Sequence, residues 1–166
     1  MFVSFDSLPS TSRIWIYQAD KIFNPEQREI LSAGLLAFTN AWTAHGNPMK
    51  ASFQLPYDHF IIIAADEQLT EASGCSIDAS VHAIQQTSGK TGINFLGRGS
   101  IAFKKGDVIE LIPLSDLRKA LDNGRWASDT LTFDNSITTK TQLSDWVIPA
   151  QHTWLKRHLS HKQVNT

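Results

Sequence analysis

The hydrophobic pattern along the chain switches repeatedly between two periods. Arg13-Ile14-Trp15-Ile16-Tyr17-Gln18 is dense in β-branched and aromatic residues, which predicts a strand. Asn24-Pro25 marks a helix start, with Asn as cap, Pro at the first helical position and Gln27 closing a capping box. Leu31, Leu35, Phe38 and Trp42 follow at spacings of 4, 3 and 4. That is one apolar stripe on a helix reaching about Ala44, stopped by Gly46 and Pro48. Ala51, Phe53 and Leu55 alternate with polar residues, as in a half-buried strand. Phe60 to Ala65 is apolar on both faces, as in a central strand. Ser76 is placed to cap a second helix carrying Ile77, Val81 and Ile84 and ending near Ser88-Gly89. Ser100–Lys104 and Val108–Ile112 read as strands joined at Lys105-Gly106-Asp107.

The order strand, helix, strand, strand, helix, strand is the split βαβ pattern of ferredoxin-like sandwiches. The expected fold class is therefore α+β, with a ferredoxin-like sandwich over residues 13–98 and a smaller module over 99–158 that could share its sheet. In that module a short helix opens at Leu114-Ser115-Asp116-Leu117, with Ser115 as cap and Leu117, Ala120 and Leu121 facing inward, and Asn123-Gly124 stops it. Thr130–Phe133 and Trp146–Ile148 read as short strands, and Gln151 onward as a terminal helix or turn. Residues 1–12 and 159–166 read as loose termini.

The chain has 166 residues, 15 Lys plus Arg and 16 Asp plus Glu, for a net charge of −1. This excludes a globally basic nucleic-acid binder and leaves room for a local basic patch. The expected partner is an unidentified protein or peptide, with no nucleic acid and no membrane span. No apolar run approaches the ~20 residues a membrane span needs. A single Cys allows no internal disulfide and implies no oxidising compartment. The first ten residues lack signal-peptide character, so the expected location is cytoplasmic.

The string Leu114-Ser115-Asp116-Leu117-Arg118-Lys119-Ala120-Leu121, with Asn123-Gly124, Asp129-Thr130-Leu131, Asp145-Trp146 and Pro149-Ala150, resembles the bacterial GYF-like domain family. The departure from that family is residues 134–144, which replace a tight turn. The resemblance implies a hairpin, a helix and a further strand, and the related eukaryotic domain binds proline-rich peptides. The whole chain, by Trp42-Thr43-Ala44-His45-Gly46 and Ser73-Gly74-Cys75-Ser76-Ile77-Asp78, also resembles a family of small uncharacterised bacterial proteins often labelled ABC-transporter ATPases. The residues argue against that label. Gly89-Lys90-Thr91 matches only the second half of a phosphate loop, Ile84 stands where its first Gly belongs, and the segment falls at a helix end.

Cys75 is the sharpest chemical feature. A helix start favours a thiolate, and Gly74 would admit a ligand close to the backbone; the alternative is a small residue packed under a helix. His45, expected in the last turn of the first helix, is either a structural His bonding a carbonyl or a partner for Cys75. Helix directions put these two at one end of the sandwich and His59 at the other. The leading expectation is a non-catalytic binding protein with no cofactor. The alternatives are a thiol-dependent enzyme using Cys75 and His45, or an anion or nucleotide binder at Ser73, Gly74 and Ser76. No metal is expected; His152, His158 and His161 read as solvated, as do Asp66-Glu67. Lys156-Arg157-His158 reads as surface. Trp15, Trp42, Trp126, Trp146 and Trp154 read as core or junction anchors, an exposed pair of which would mark a groove.

Overall fold

In the computed structural model, which describes residues 1–68 and 70–160, the chain is an α+β protein with small antiparallel sheets. It divides into two units: residues 1–97 with 136–142, and residues 98–135 with 143 onward.

Unit 1 contains β1 (Arg13–Gln18), α1 (Pro25–Ala41), the two-residue strands β2 (Thr43–Ala44) and β3 (Asn47–Pro48), β4 (Ala51–Gln54), β5 (Phe60–Ala65) and α2 (Gly74–Thr91). The continuous apolar run becomes the central strand. All six β5 residues are buried, and β5 pairs antiparallel with β1 on one side and β4 on the other. β1 and β4 therefore run parallel, joined through α1, with β5 inserted between them. Leu31 and Leu35 of α1 pack with Ile84 of α2 onto Ile61, Ile63 and Ala65 of β5. The capping box at Asn24 forms as the sequence dictates, Gln27 N–H donating to Asn24 Oδ1 at 2.8 Å and Asn24 N–H to Gln27 Oε1 at 2.9 Å.

Three expectations for this unit are corrected. α1 ends at Ala41 rather than near Ala44, because Trp42 turns extended (ψ 127°) and the chain reverses in the β2–β3 hairpin. α2 starts at Gly74 with Ser73 as its cap, so its inward stripe is Ser76, Ser80, Ile84, Thr87 and Thr91; Ile84 is buried as its spacing predicts, whereas Ile77 and Val81 are only half-buried. Small hydroxyl residues suit this face, since a Cβ on Gly34 of α1 would already lie 3.6 Å from Thr87 Oγ1. Ser80, Thr87 and Thr91 satisfy their hydroxyls by donating to carbonyls of the preceding turn. The segment 1–12 is not a loose arm. Val3 N–H donates to Ala51 O at 2.9 Å, and Leu8 is buried. The Lys140 ammonium donates to the carbonyls of Phe5, Asp6 and Leu8 at 2.8, 3.3 and 2.6 Å.

Unit 2 contains β6 (Ser100–Lys105), β7 (Val108–Pro113), α3 (Leu117–Asp122), β8 (Leu131–Phe133), β9 (Val147–Pro149) and α4 (Lys156–Leu159). Its antiparallel sheet has the order β7-β6-β8-β9. The fourth strand of the expected sandwich, β6, thus belongs to a second sheet, and the two modules share none. Gly106 (φ 61°) makes the β6–β7 turn in a conformation that favours glycine. Leu117, Ala120 and Leu121 are buried, as their spacing predicts, around Trp126, whose ring stacks on Phe103 at 5.3 Å and donates to Leu117 O at 2.8 Å. Ser115 does not cap α3; it lies in a 3-10 turn leading into the helix. Residues 136–142, inside the departure from the GYF-like spacing, leave this unit and bridge the edge of β1, with Arg13 opposite Thr139. Of the C-terminal segment expected to be loose, 161–166 lie outside the described residues.

Two outcomes follow. Lys140→Ala should cost about 1–3 kcal/mol, the value of hydrogen bonds to a charged group, and speed amide exchange at Val3 and Leu8. Urea denaturation with hydrogen exchange checks this; a loss below about 0.5 kcal/mol overturns the anchoring role. In unit 2, Lys105 and then Arg125 hold the Glu110 carboxyl below its usual range through hydrogen bonds at 2.6 Å and 2.5–2.9 Å. A lowered folded-state pKa gives stability that is present above the ordinary value near 4.5 and lost as pH falls through the folded value. For so exposed a cluster the effect is about 0.5–1 kcal/mol. Glu110→Gln should flatten the fall in melting temperature between about pH 5 and 3, measured by calorimetry.

Candidate functional site

The last turn of α1, the hairpin and the first turn of α2 converge on an open cleft of about 400 Å³ in unit 1. Phe38, Ala41 and Trp42 line it from α1, Thr43, His45 and Gly46 from the hairpin, and Ser73, Cys75, Ser76 and Ala79 from α2. Trp42 sets this geometry. Its ring is 2% exposed and lies 4.9 Å from Phe38 and 5.5 Å, edge on, from Trp15. Its indole N–H donates to Ser76 O at 2.9 Å, and its carbonyl accepts from Met49 N–H at 3.0 Å. One residue thus joins α1 to α2 and closes the hairpin.

His45 and Gly46 form the two-residue hairpin turn, both at positive φ (51° and 79°). That is the pattern of a turn matching the twist of its strands, and His tolerates the left-handed region better than a β-branched residue would. His45 is therefore exposed at a turn tip, not held in a helical last turn. Cys75 is the second residue of α2 and is exposed with a free thiol, which overturns the packed-under-a-helix alternative. Both line the same cleft. No hydrogen bond joins them, nor does a carboxylate contact either, among the described residues. His59 opens β5 in a buried position, its Nδ1 2.8 Å from Tyr57 O.

The Ser73–Ser76 pair is committed to the helix start. Ser73 Oγ accepts from Ser76 N–H at 3.1 Å, and Ser76 Oγ donates to Ser73 O at 2.8 Å. The Gly74 and Cys75 amides remain at the positive end of α2, and a Cβ at Gly74 would meet only open space. Gly89-Lys90-Thr91 forms the last turn of the same helix, with Thr91 Oγ1 bonded to Thr87 O and Gly92 in the left-handed conformation. Its carbonyl end is unsuited to phosphate. Among the described residues no group of three or more His, Cys, Asp or Glu comes together to hold a metal. His152 is exposed, His158 half-buried, and His161 lies outside the described residues. Asp66 and Glu67 accept from the Gln68 and Ala72 amides and so order their own loop.

The sequence did not reveal Ala41, Thr43 or Ala79 as lining residues, nor the Trp42–Ser76 bond. The His45-Gly46 dipeptide was the available signal, since a left-handed-tolerant residue before Gly suits a two-residue hairpin turn. Comparison of the chain with protein-family models, characterised proteins and solved structures gives no match. Among the described residues, no helix is long and apolar enough to cross a membrane.

Trp42→Ala should destabilise by about 3–5 kcal/mol, as deletion of a buried ring does. Trp42→Phe should cost less while breaking the bond to Ser76 O. Denaturant unfolding of both variants checks this, and a cost below about 1 kcal/mol for Trp42→Ala would remove Trp42 from its joining role.

Proposed function

We propose that the protein is a non-catalytic binding protein whose unit 1 takes a small ligand group in the Phe38–Trp42 cleft. The single observation that carries this is the cleft itself, apolar along Phe38, Ala41, Trp42 and Ala79 and open at a polar rim of Ser73, Cys75 and His45. Ligand sites are typically concave and mostly apolar, with a few polar groups that fix orientation. The chemistry that fits is an apolar body with an acidic end, the end at Ser73 and Cys75 beside the start of α2. Of the Ser73, Gly74 and Ser76 cluster, Ser73 and Ser76 then act as lining of an apolar cleft rather than as a nucleotide site.

The same reading includes a cytoplasmic location, a bacterial family of small uncharacterised proteins, and a protein or peptide partner for the GYF-like module of residues 99–158. It treats unit 1 as an incomplete ferredoxin-like sandwich. The β1–α1–β4 crossover split by β5 supports this, and the absence of β6 from that sheet limits it. A thiol enzyme using Cys75 and His45 is the second reading, favoured by their presence on one cleft.

The test is a screen of small aryl and alkyl carboxylates by ligand-observed NMR, with the alkylation rate of Cys75 as reporter. Ligands should bind, slow alkylation several-fold, and lose both effects in Ala79→Trp, which fills the cleft. Binding retained in Cys75→Ser separates binding from thiol catalysis. Hits that leave alkylation unchanged and survive Ala79→Trp would refute the cleft reading.

A further inference from the structure

The five tryptophans do not share one role. Trp42, Trp126 and Trp146 are buried and Trp15 is half-buried, whereas Trp154 in unit 2 is 44% exposed. Nothing about its backbone is loose. Leu155 beside it is 1% exposed and sits in the unit 2 core. Thr153 Oγ1 donates to Ala150 O at 2.8 Å and accepts from Leu155 N–H at 3.1 Å, while Arg157 N–H donates to Trp154 O at 3.3 Å. The chain thus presents a large indole to solvent from a fixed turn, at the cost of leaving its apolar surface wet.

A guanidinium and an imidazole flank that ring. The Arg157 guanidinium lies 4.6 Å from the ring centroid, and His158 meets it edge on at 5.7 Å. Arg118 of α3 reaches the same turn through His158 O at 3.4 Å, while keeping an ion pair with Asp122 at 3.3 Å. Lys156 is exposed one residue from Arg157, and neither has a carboxylate partner among the described residues. Arg157 thus lies at one exposed aromatic, Arg118, itself paired with Asp122, reaches the same turn, and Lys156 is exposed in the adjoining helix.

We propose that the Trp154 surface binds single-stranded nucleic acid. An unpaired base stacks on the indole, and Arg157, Lys156 and Arg118 face the neighbouring phosphates. Stacking on an exposed ring combined with cations that follow a backbone is how proteins hold single strands without reading sequence. A flexible acidic peptide would use the charges but not the ring, and a duplex buries its bases, so charge complementarity together with an exposed ring selects the single strand. The net charge of −1 for the whole chain pointed away from nucleic acid; the patch is local and is diluted by acids elsewhere. This surface lies in unit 2 and is independent of the Phe38–Trp42 cleft.

The test is fluorescence anisotropy of a labelled oligothymidylate of about 15 nucleotides with the full chain. Binding should appear at about 50 mM salt and weaken about ten-fold at 200 mM, as two to three neutralised phosphates require. Trp154→Ala should weaken it by at least about five-fold, and Trp154→Phe should retain most of it, because stacking needs a ring rather than a particular one. Lys156→Glu with Arg157→Glu should reduce the salt slope by about 1.4. An unchanged far-ultraviolet spectrum and melting temperature in each variant establish that the fold is intact. No binding at low salt would overturn the proposal. So would binding indifferent to Trp154→Ala, or poly-glutamate binding equal to that of the oligonucleotide, which would mark a charge-only surface.

Discussion

Unit 1 depends on the indole of Trp42. Its ring fills the space between Phe38 and Trp15, its N–H reaches across to Ser76 O, and its backbone receives the returning strand. A buried indole N–H without an acceptor costs about 1–3 kcal/mol, so the bond to Ser76 fixes where the first turn of α2 must lie. The position of Cys75, one residue before Ser76, follows from that constraint. The cleft is what remains when two helix ends are held by a side chain that spans them without filling the gap beyond.

The inward face of α2 shows a related compromise. Ser76, Ser80, Thr87 and Thr91 bury hydroxyls where an amphipathic helix would ordinarily bury Leu or Ile. Little side-chain volume lets α1 approach at Gly34, and the Ser80, Thr87 and Thr91 hydroxyls donate to carbonyls of their own helix. Apolar contact is exchanged for closeness, so α2 relies on Ile84 and on the Trp42 bond more than a Leu-rich helix would.

Legibility in the sequence tracked how local the determining physics was. The Asn24–Gln27 capping box, the doubly apolar Phe60–Ala65 strand and the Leu117, Ala120, Leu121 face are written in short-range patterns, and the structure carries all three. The end of α1 was misread because Leu31, Leu35, Phe38 and Trp42 keep helical spacing, while Trp42 leaves the helix to meet a carbonyl 34 residues away. The face of α2 was misread because hydroxyl residues do not register as a core stripe. The assignment of β6 to another sheet depends on strand pairing, which a string of elements does not encode. Of the candidate site, Cys75 and His45 were found from residue type and topology. The aromatic wall was visible only as a helix stripe, and the lining by Ala41 and Ala79 depends on geometry alone.

The segment 136–142 gives the chain an unusual connectivity. It crosses between the units at 97/98, again at 135/136 and again at 142/143. No single cut can therefore liberate either unit whole. A fragment ending at residue 97 would lose the backbone bonds that Thr138 and Lys140 make to Ile14 and Ser12, as well as the ammonium that gathers the Phe5, Asp6 and Leu8 carbonyls. Its β1 would be left as a raw margin, and raw margins recruit other strands. The two-unit division is thus a property of the folded shape and not of the gene's linear order, and dissection of this protein has to proceed by point substitution rather than by truncation.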